Sequence, residues 1–168
     1  MERLLSYLDD WDDSPAPEPA LTYCGHYVVN MVLGMYASLA DRQGIEMEIN
    51  ASMPEDVPIR DVDLCVILGN LLENALEASG KIPEDERFVS VQIGHELNQL
   101  VILIENRFDG VLNEENGRRL SAKQPGREGL GLRSVLAVCE NIGGYAEFYA
   151  DENGIFHSEV FLQSADCN

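Results

Sequence analysis

The stretch that decides the fold is residues 61–80, which read DVDLCVILGNLLENALEASG. Apolar residues recur along it at three- and four-residue spacing, which predicts one long amphipathic helix that ends at Gly80. Asp61 is predicted to cap the N-terminus of this helix. The apolar stripe is broad enough to lie against a sheet, and it consists of Leu64, Leu68, Leu71, Leu72, Ala75 and Leu76.

The opposite side of this helix carries polar side chains at helical spacing. Asn70, Glu73, Asn74 and Glu77 stand at i, i+3, i+4 and i+7, so they share one side of the helix. An ordinary solvated face would use Lys or Glu more often than two asparagines, because Asn is a mediocre helix former. The amide oxygen of Asn suits a Mg²⁺ ion that keeps water and phosphate oxygens in its shell. Two interpretations therefore stand, a solvated face and a metal-binding one.

A glycine-containing segment, residues 126–132 with the sequence GREGLGL, leads directly into another predicted helix. Glycines before a helix N-terminus let backbone amides approach an anion, and the helix dipole favours phosphate there. Five of the 11 Lys and Arg residues lie between positions 118 and 133, in a chain of net charge −19. A polyphosphate ligand would explain this local positive charge, although no GK[ST] of a P-loop follows the glycines.

A third polar signal follows the buried-strand pattern of residues 100–105, where the strand runs into Asn106 and then a turn. A side-chain amide in that position can both donate to and accept from a purine edge. The alternative is an asparagine that only forms the turn.

The remaining segments predict a mixed sheet with helices on one face, which is a two-layer α/β sandwich of the α+β kind. Residues 10–20 combine aspartates with three prolines and predict an extended linker. Helical spacing covers 21–44 and 130–142, and strand patterns cover 45–50, 88–93, 100–105, 145–149 and 155–162.

Composition restricts the class of protein. The 168 residues fit one domain of about 150 residues, and 45% hydrophobic with 24% charged residues is typical of a globular protein. With 30 Asp and Glu against 11 Lys and Arg, the charge argues against a nucleic-acid or anionic-membrane partner.

No apolar stretch is long enough to span a bilayer, and the acidic N-terminus does not look like a secretory signal. The four cysteines lie far apart, which suits reduced thiols in a cytosol.

Together the three polar segments resemble the N, G1 and G2 boxes of the GHKL superfamily, which contains the gyrase, Hsp90, histidine kinase and MutL ATP-binding domains. LGNLLENALEAS is similar to an N box, IENRFDG to a G1 box and GREGLGLRSV to a G2 box. DLCVILGNLLENALEA and the earlier GIEMEI are most similar to sensor histidine kinases of the peptide quorum-sensing and citrate-sensor type. The resemblance runs from about Leu21 to Leu162.

The resemblance implies a Bergerat-type mixed β-sheet that holds ATP and Mg²⁺ between the N-box helix and a lid at residues 111–128. By the same resemblance, Asn74 coordinates the magnesium, and Asn70 is the polar residue one turn earlier. Asn70 and Glu73 are the candidate catalytic residues. The other implied nucleotide-binding residues are Asn106, Phe108, Gly110, Lys123, Gly129, Leu130, Gly131, Leu132 and Arg133.

Two features depart from the family pattern. Most relatives have DxGxG where this chain reads NRFDG, so Asn106 would accept from the adenine amino group without charge assistance, and Phe108 replaces the first glycine. The family carries its phosphoacceptor histidine on a dimerising helical hairpin upstream, whereas one predicted helix precedes the first strand here. His26, His95 and His157 are therefore poor candidates for the acceptor.

The sequence is thus interpreted as an N-terminal segment and linker at 1–20, followed by a GHKL-type ATP-binding domain at 21–168. Residues 21–44 are a candidate remnant of a dimerisation helix. The expected function is that of the catalytic domain of a two-component sensor histidine kinase, which donates the γ-phosphate to a histidine on a helical domain outside this chain.

The expected partners are that helical domain and, indirectly, a response regulator, with no nucleic acid. The expected location is the cytoplasmic portion of a membrane-bound sensor. Two alternatives remain. One is a GHKL-type ATPase switch, although Asn70 stands where hydrolysing relatives have a glutamate base. The other is a degenerate nucleotide-binding or interaction module without turnover.

Overall fold

A computed structural model describes residues 22–110, 120–121 and 130–163 of the chain. The predicted linker at 1–20 and nearly all of the predicted lid at 111–128 lie outside this part. The described elements, in chain order, are α1 (Tyr27–Arg42), β1 (Glu46–Ser52), α2 (Asp61–Ser79), a 3-10 turn (Glu84–Glu86), β2 (Phe88–Glu96), β3 (Gln99–Arg107), β4 (Leu120–Ser121), α3 (Leu130–Asn141), β5 (Tyr145–Ala150) and β6 (Ile155–Gln163).

The described strands form one mixed sheet in the order β1-β2-β3-β6-β5-β4. β1 pairs with β2 in parallel, and the remaining pairs are antiparallel. Because β1 and β2 run in parallel, the chain must cross over between them, and α2 provides that crossover. The helices pack on one face of the sheet, so the predicted two-layer α/β sandwich is confirmed.

Strand β3 shows how the sequence divides the two faces. Leu100, Ile102 and Ile104 are at most 1% exposed and pack into the core beneath α2, whereas the residues between them are half-buried on the open face. The period of two places Asn106 on the same helix-facing side, where it is 2% exposed. The predicted strand therefore delivers a polar side chain to the end of the core.

The helix starts differ from the predictions. His26, not an earlier residue, caps α1, because its ring Nδ1 accepts a hydrogen bond from the backbone amide of Val29 at 3.4 Å. The prediction that Asp61 caps α2 is wrong. Asp61 is the first helical residue, and the N-cap is Arg60, whose guanidinium instead binds the buried Asp63 at 2.7 and 2.8 Å.

The β2–β3 hairpin is tighter than predicted. Leu97 and Asn98 both have positive φ, 50° and 61°, which is the backbone twist of a two-residue hairpin turn. Both strands are consequently longer than their apolar patterns, and His95 lies in β2 and not in the turn. The two-residue strand β4 was not predicted.

The cysteines of the described part are free thiols. Cys24 and Cys139 are buried and Cys65 is exposed. Burial raises the pKa of the Cys139 thiol to about 11, so it stays protonated inside the core. The prediction of reduced cysteines holds for these three. None of the helices in the described part has the length and hydropathy needed to cross a bilayer.

Candidate functional site

The helix α2 supplies the platform of the candidate site. Its predicted apolar stripe is confirmed, because every member is at most 4% exposed. On the opposite side, Asn70 and Asn74 are half-buried, and Glu73 is exposed. The two asparagines are therefore partly covered, unlike side chains on an ordinary solvated face.

The element that covers the asparagines is the beginning of α3. A β-carbon built on Gly131 would lie 3.0 Å from Asn70 Oδ1 and 3.5 Å from Asn74 Nδ2. The first distance is shorter than the optimum of about 3.5–4.0 Å between carbon-sized atoms, so the missing side chain permits this approach. The structure thus brings together two segments separated by some sixty residues, and the amide-rich start of a helix faces two side-chain amides.

A hydrogen bond within α2 fixes the orientation of the Asn70 amide. Its Nδ2 donates to the carbonyl of Val66 at 2.7 Å, which turns Oδ1 towards Gly131. Glu77, the last member of the polar series, pairs with Lys81 at 3.0 Å. Glu77 is therefore a surface residue, whereas Asn70 and Asn74 face the junction of the two helices.

The sequence interpretation missed a tyrosine that contacts α2 from the other side. The hydroxyl of Tyr36, on α1, donates to the carbonyl of Gly69 at 3.1 Å. Burial raises the pKa of Tyr36, and the charge of Glu73 raises it further, so the phenol keeps the proton that it donates. Helical spacing alone does not reveal the partner of the Tyr36 hydroxyl, because that hydrogen bond is a tertiary contact.

Asn106, near the end of β3, is the second part of the candidate site. It belongs to β3, opposite Val89 and Phe156, so the alternative of a purely turn-forming asparagine is wrong. Its Nδ2 donates to the carbonyl of Arg107 at 3.0 Å. Within the part of the chain that the structure describes, Oδ1 receives no hydrogen bond, which leaves a buried acceptor available to a ligand.

The chain after β3 is anchored through Phe108, the residue that replaces a family glycine. Its backbone amide donates to the carbonyl of Gly154 at 3.4 Å. Its ring meets Phe156 edge to face, with centroids 6.1 Å apart. Gly110 follows with φ at +77° and open space around it. The substitution is therefore accommodated by packing against the β5–β6 turn.

Ser158, on the helix-facing side of β6, is a further polar residue that the sequence interpretation missed. It is 5% exposed and stands opposite Ile104, one inward-facing pair from Asn106 and Phe156. Among the described residues its hydroxyl has no hydrogen-bond partner, although it is opposite Ile104 and Phe148 in the sheet. The signal was present in the strand pattern, since Ser158 occupies the inward phase that continues with Val160 and Leu162.

The other predicted nucleotide contacts are only partly described. Lys123 and Gly129 lie outside the described residues, and Leu130 begins α3 without a described side chain. Leu132 is half-buried against the core, and Arg133 is exposed in the first turn of α3. Among the residues described, no three His, Cys, Asp or Glu side chains come together as metal ligands.

A charged cluster occupies the open face of the sheet, away from α2. His157 Nδ1 lies 3.0 Å from Glu105 Oε1, and its Nε2 lies 3.6 Å from Asp151 Oδ2. The ring of Tyr149 stacks on the imidazole with centroids 4.7 Å apart. This arrangement holds together β3, β5, β6 and the turn that contacts Phe108.

The mixed sheet with helices on one face defines the class of the fold, a two-layer α/β sandwich, and the two helix-borne amides meet a glycine at a helix start within it. A family model, the GHKL domain, matches residues 59–163. The chain belongs to the GHKL family.

Two relatives carry this likeness in sequence. The chain is 32% identical over 104 residues to a probable C4-dicarboxylate sensor kinase of Halalkalibacterium halodurans, a match that covers 60% of the chain and 19% of that protein. It is 31% identical over 88 residues to the sensor histidine kinase DpiB of Escherichia coli, covering 49% of the chain and 16% of that protein. The chain therefore spans less than a fifth of the length of either relative.

Solved structures carry the likeness in fold. The nucleotide-free catalytic domain of histidine kinase ThkA has a TM-score of 0.63 at 19% identity, over 82% of this chain and 91% of that one. Histidine kinase AdeS of Acinetobacter baumannii has a TM-score of 0.59 at 16% identity, over 83% of this chain and 64% of that one. The predicted fold is confirmed, whereas the peptide or citrate subtype stays a prediction.

Proposed function

We propose that the chain binds ATP with Mg²⁺ and presents the γ-phosphate to a histidine on a helical domain of a sensor kinase. The observation that carries this proposal is the meeting of Gly131 with Asn70 and Asn74. It places a helix N-terminus, where free backbone amides favour phosphate, beside amide side chains that suit a hydrated metal ion.

The base of the nucleotide would bind at the sheet. Asn106 Oδ1 is a buried acceptor without a donor in the described part, and Ser158 lies one residue pair away with an unused hydroxyl. An exocyclic amino group supplies the donor that Asn106 Oδ1 needs, because its own Nδ2 is held by the Arg107 carbonyl. This chemistry favours adenine, which presents such an amino group, over a base with a carbonyl there.

The residues at the phosphate end fit magnesium. Asn74, and Asn70 one turn before it, offer neutral oxygen ligands, and the phosphates would complete the shell. A bound Mg²⁺ neutralises charge on the phosphates during transfer. Gly131, Leu132 and Arg133 would contact the phosphates from the first turn of α3, and Gly129, Leu130, Lys123, Phe108 and Gly110 complete the proposed binding set.

The same geometry supports phosphoryl transfer to another group over hydrolysis. An amide cannot take a proton from water, and Asn70 commits its Nδ2 to the Val66 carbonyl. Glu73, the nearest acid in sequence, lies about 60° around the helix from Asn70, on the same side, but it is exposed to solvent whereas the two asparagines are half-buried. We therefore assign neither residue the role of a hydrolytic base.

The organisation of the parent protein belongs to the same proposal. The ATP-binding domain would comprise residues 21–168, with 21–44 derived from a dimerisation helix. It would act in the cytoplasm as part of a membrane-bound sensor and serve a response regulator only through the phosphorylated histidine. The support is the likeness to sensor kinases.

Replacement of the metal-side asparagine tests the proposal. We expect Asn74→Ala to abolish the Mg²⁺-dependent part of ATP affinity, while the free energy of unfolding changes by no more than about 0.5 kcal/mol. Isothermal calorimetry with and without Mg²⁺ measures the first quantity, and chemical denaturation measures the second.

The matched control is Asn141→Ala, which removes an exposed helical asparagine at the far end of α3. That variant should bind ATP as the unaltered chain does. An Asn74→Ala variant with normal Mg²⁺-dependent affinity would contradict the metal assignment. Failure of the unaltered chain to bind ATP would favour the degenerate module instead.

A further inference from the structure

Helix α1 touches α2 at the residue before the candidate metal-binding face. Gly69 directs its carbonyl towards α1, and Tyr36 Oη donates to that oxygen across 3.1 Å. In an α-helix this carbonyl also accepts the amide of residue 73, so the tyrosine uses its second lone pair. The contact joins residues 33 positions apart in sequence.

The carbonyl of Gly69 is accessible to the Tyr36 hydroxyl. Gly69 has no side chain to shield its carbonyl, and even an added β-carbon would come no closer than 3.8 Å to Tyr36 Oη. Tyr36 itself is half-buried and packs against the core. A part-buried hydroxyl–carbonyl bond of this kind restrains the position of one helix relative to the other.

On its other side, α2 lies against the beginning of α3. Asn70 Oδ1 lies 3.0 Å from the β-carbon position of Gly131, and Asn74 Nδ2 lies 3.5 Å from it. A small rotation or slide of α2 would change both distances. The position of the two amides therefore depends on whatever holds α2 from the side of α1.

We propose that Tyr36 is a positioning residue, which sets the two asparagines of α2 for the metal ion by holding the Gly69 carbonyl. This inference rests on the proposed function, and it adds a route by which displacement of α1 reaches the metal site. Tyr36 touches neither nucleotide nor metal in this scheme; it acts through α2.

The test uses Tyr36→Phe, which removes one oxygen atom and keeps the ring. We expect the affinity for ATP with Mg²⁺ to fall about three- to tenfold, the effect of one hydrogen bond, and the affinity without Mg²⁺ to change much less. Tyr149→Phe is the matched control, because it also breaks a tyrosine bond, to Glu159 at 2.7 Å, but on the open face of the sheet. It should leave both affinities unchanged.

A second measurement does not need the nucleotide. The side-chain amide resonances of Asn70 and Asn74 should shift in Tyr36→Phe and stay in place in Tyr149→Phe. If the unaltered chain fails to bind ATP, the proposed function is wrong, and these resonances alone decide the role of Tyr36. Unshifted resonances, or equal losses of affinity with and without Mg²⁺, would overturn the inference.

Discussion

At the scale of single residues, the candidate site depends on a glycine. Gly131 stands at the second position of α3, where alanine would favour the helix by up to about 1 kcal/mol. A glycine occupies this position despite that preference, at the place where a β-carbon would touch Asn70. Its presence is therefore explained by the approach of two helices and not by helix formation.

We expect Gly131→Ala to weaken ATP binding by about tenfold or more while leaving the free energy of unfolding nearly unchanged. The added methyl group displaces Asn70, and the gain in helix propensity offsets the local crowding. Calorimetry and urea denaturation measure the two effects. Gly34→Ala, at a helical glycine with open space around it, is the control and should stabilise the fold without changing affinity.

At the scale of elements, the β5–β6 turn links the open face of the sheet to the chain after β3. Asp151 Oδ1 accepts the amides of Ile155 and Asn153, at 2.8 and 2.9 Å, and the carbonyl of Gly154 receives the amide of Phe108. The bond from Ile155 is the main reason that the pKa of Asp151 lies below its ordinary value, and bonds from Asn153 and His157 lower it further.

This lowered pKa predicts an acid-dependent stability. A carboxyl that binds protons less readily when folded stabilises the fold above its unfolded pKa, and that contribution is lost as the pH falls through the folded value. We expect the unaltered chain to lose it below about pH 4, whereas Asp151→Asn lacks it at every pH. The free energy of unfolding, followed from neutral to acid pH, should differ less between the two proteins as the acid range is reached. A constant difference would contradict the role of the turn.

At the scale of the whole molecule, the described histidines are badly placed to accept a phosphate from the candidate site. His26 is 6% exposed, its Nδ1 caps α1, and Nε2 lies 3.6 Å from Asp61. His157 lies on the opposite face of the sheet from α2, between two carboxylates. His95 lies in β2, next to the hairpin turn.

We therefore expect this chain alone to bind ATP with Mg²⁺, to hydrolyse it very slowly and not to phosphorylate itself. Incubation with γ-labelled ATP, followed by acid treatment, checks this. Under the proposed function, adding a histidine-bearing helical domain of a sensor kinase should produce acid-labile label on that histidine. Acid-labile label on this chain alone would show that one of its own three histidines is an acceptor.

Periodicity predicted the elements well because it reflects burial directly. The apolar stripe of α2 is buried as expected, and the apolar run of residues 100–105 forms β3 in the interior of the sheet. The helix ends were less predictable, because a local side-chain interaction can replace a cap. The side chain of Arg60 pairs with Asp63, and the N-cap position of α2 makes no side-chain hydrogen bond.

The candidate site was predictable only where one segment suffices to show it. Asn70, Asn74 and the glycine segment stand out along the sequence, but their meeting is a tertiary contact. Tyr36 and Ser158 were missed for the same reason. An inward tyrosine or serine is ordinary in a sequence. Only the fold reveals that the Tyr36 hydroxyl meets a backbone carbonyl, whereas the Ser158 hydroxyl meets no partner in the described part of the chain.

The parallel pairing of β1 with β2 has a consequence for the order of folding. Strands joined in parallel cannot close through a tight turn, so β1 is able to pair only after the whole segment between it and β2 has folded back. That segment contains α2, and closing it carries a larger entropic cost than a hairpin. Because the asparagine-bearing helix is this crossover, we expect pairing of the edge strand and packing of that helix on the sheet to be coupled in folding.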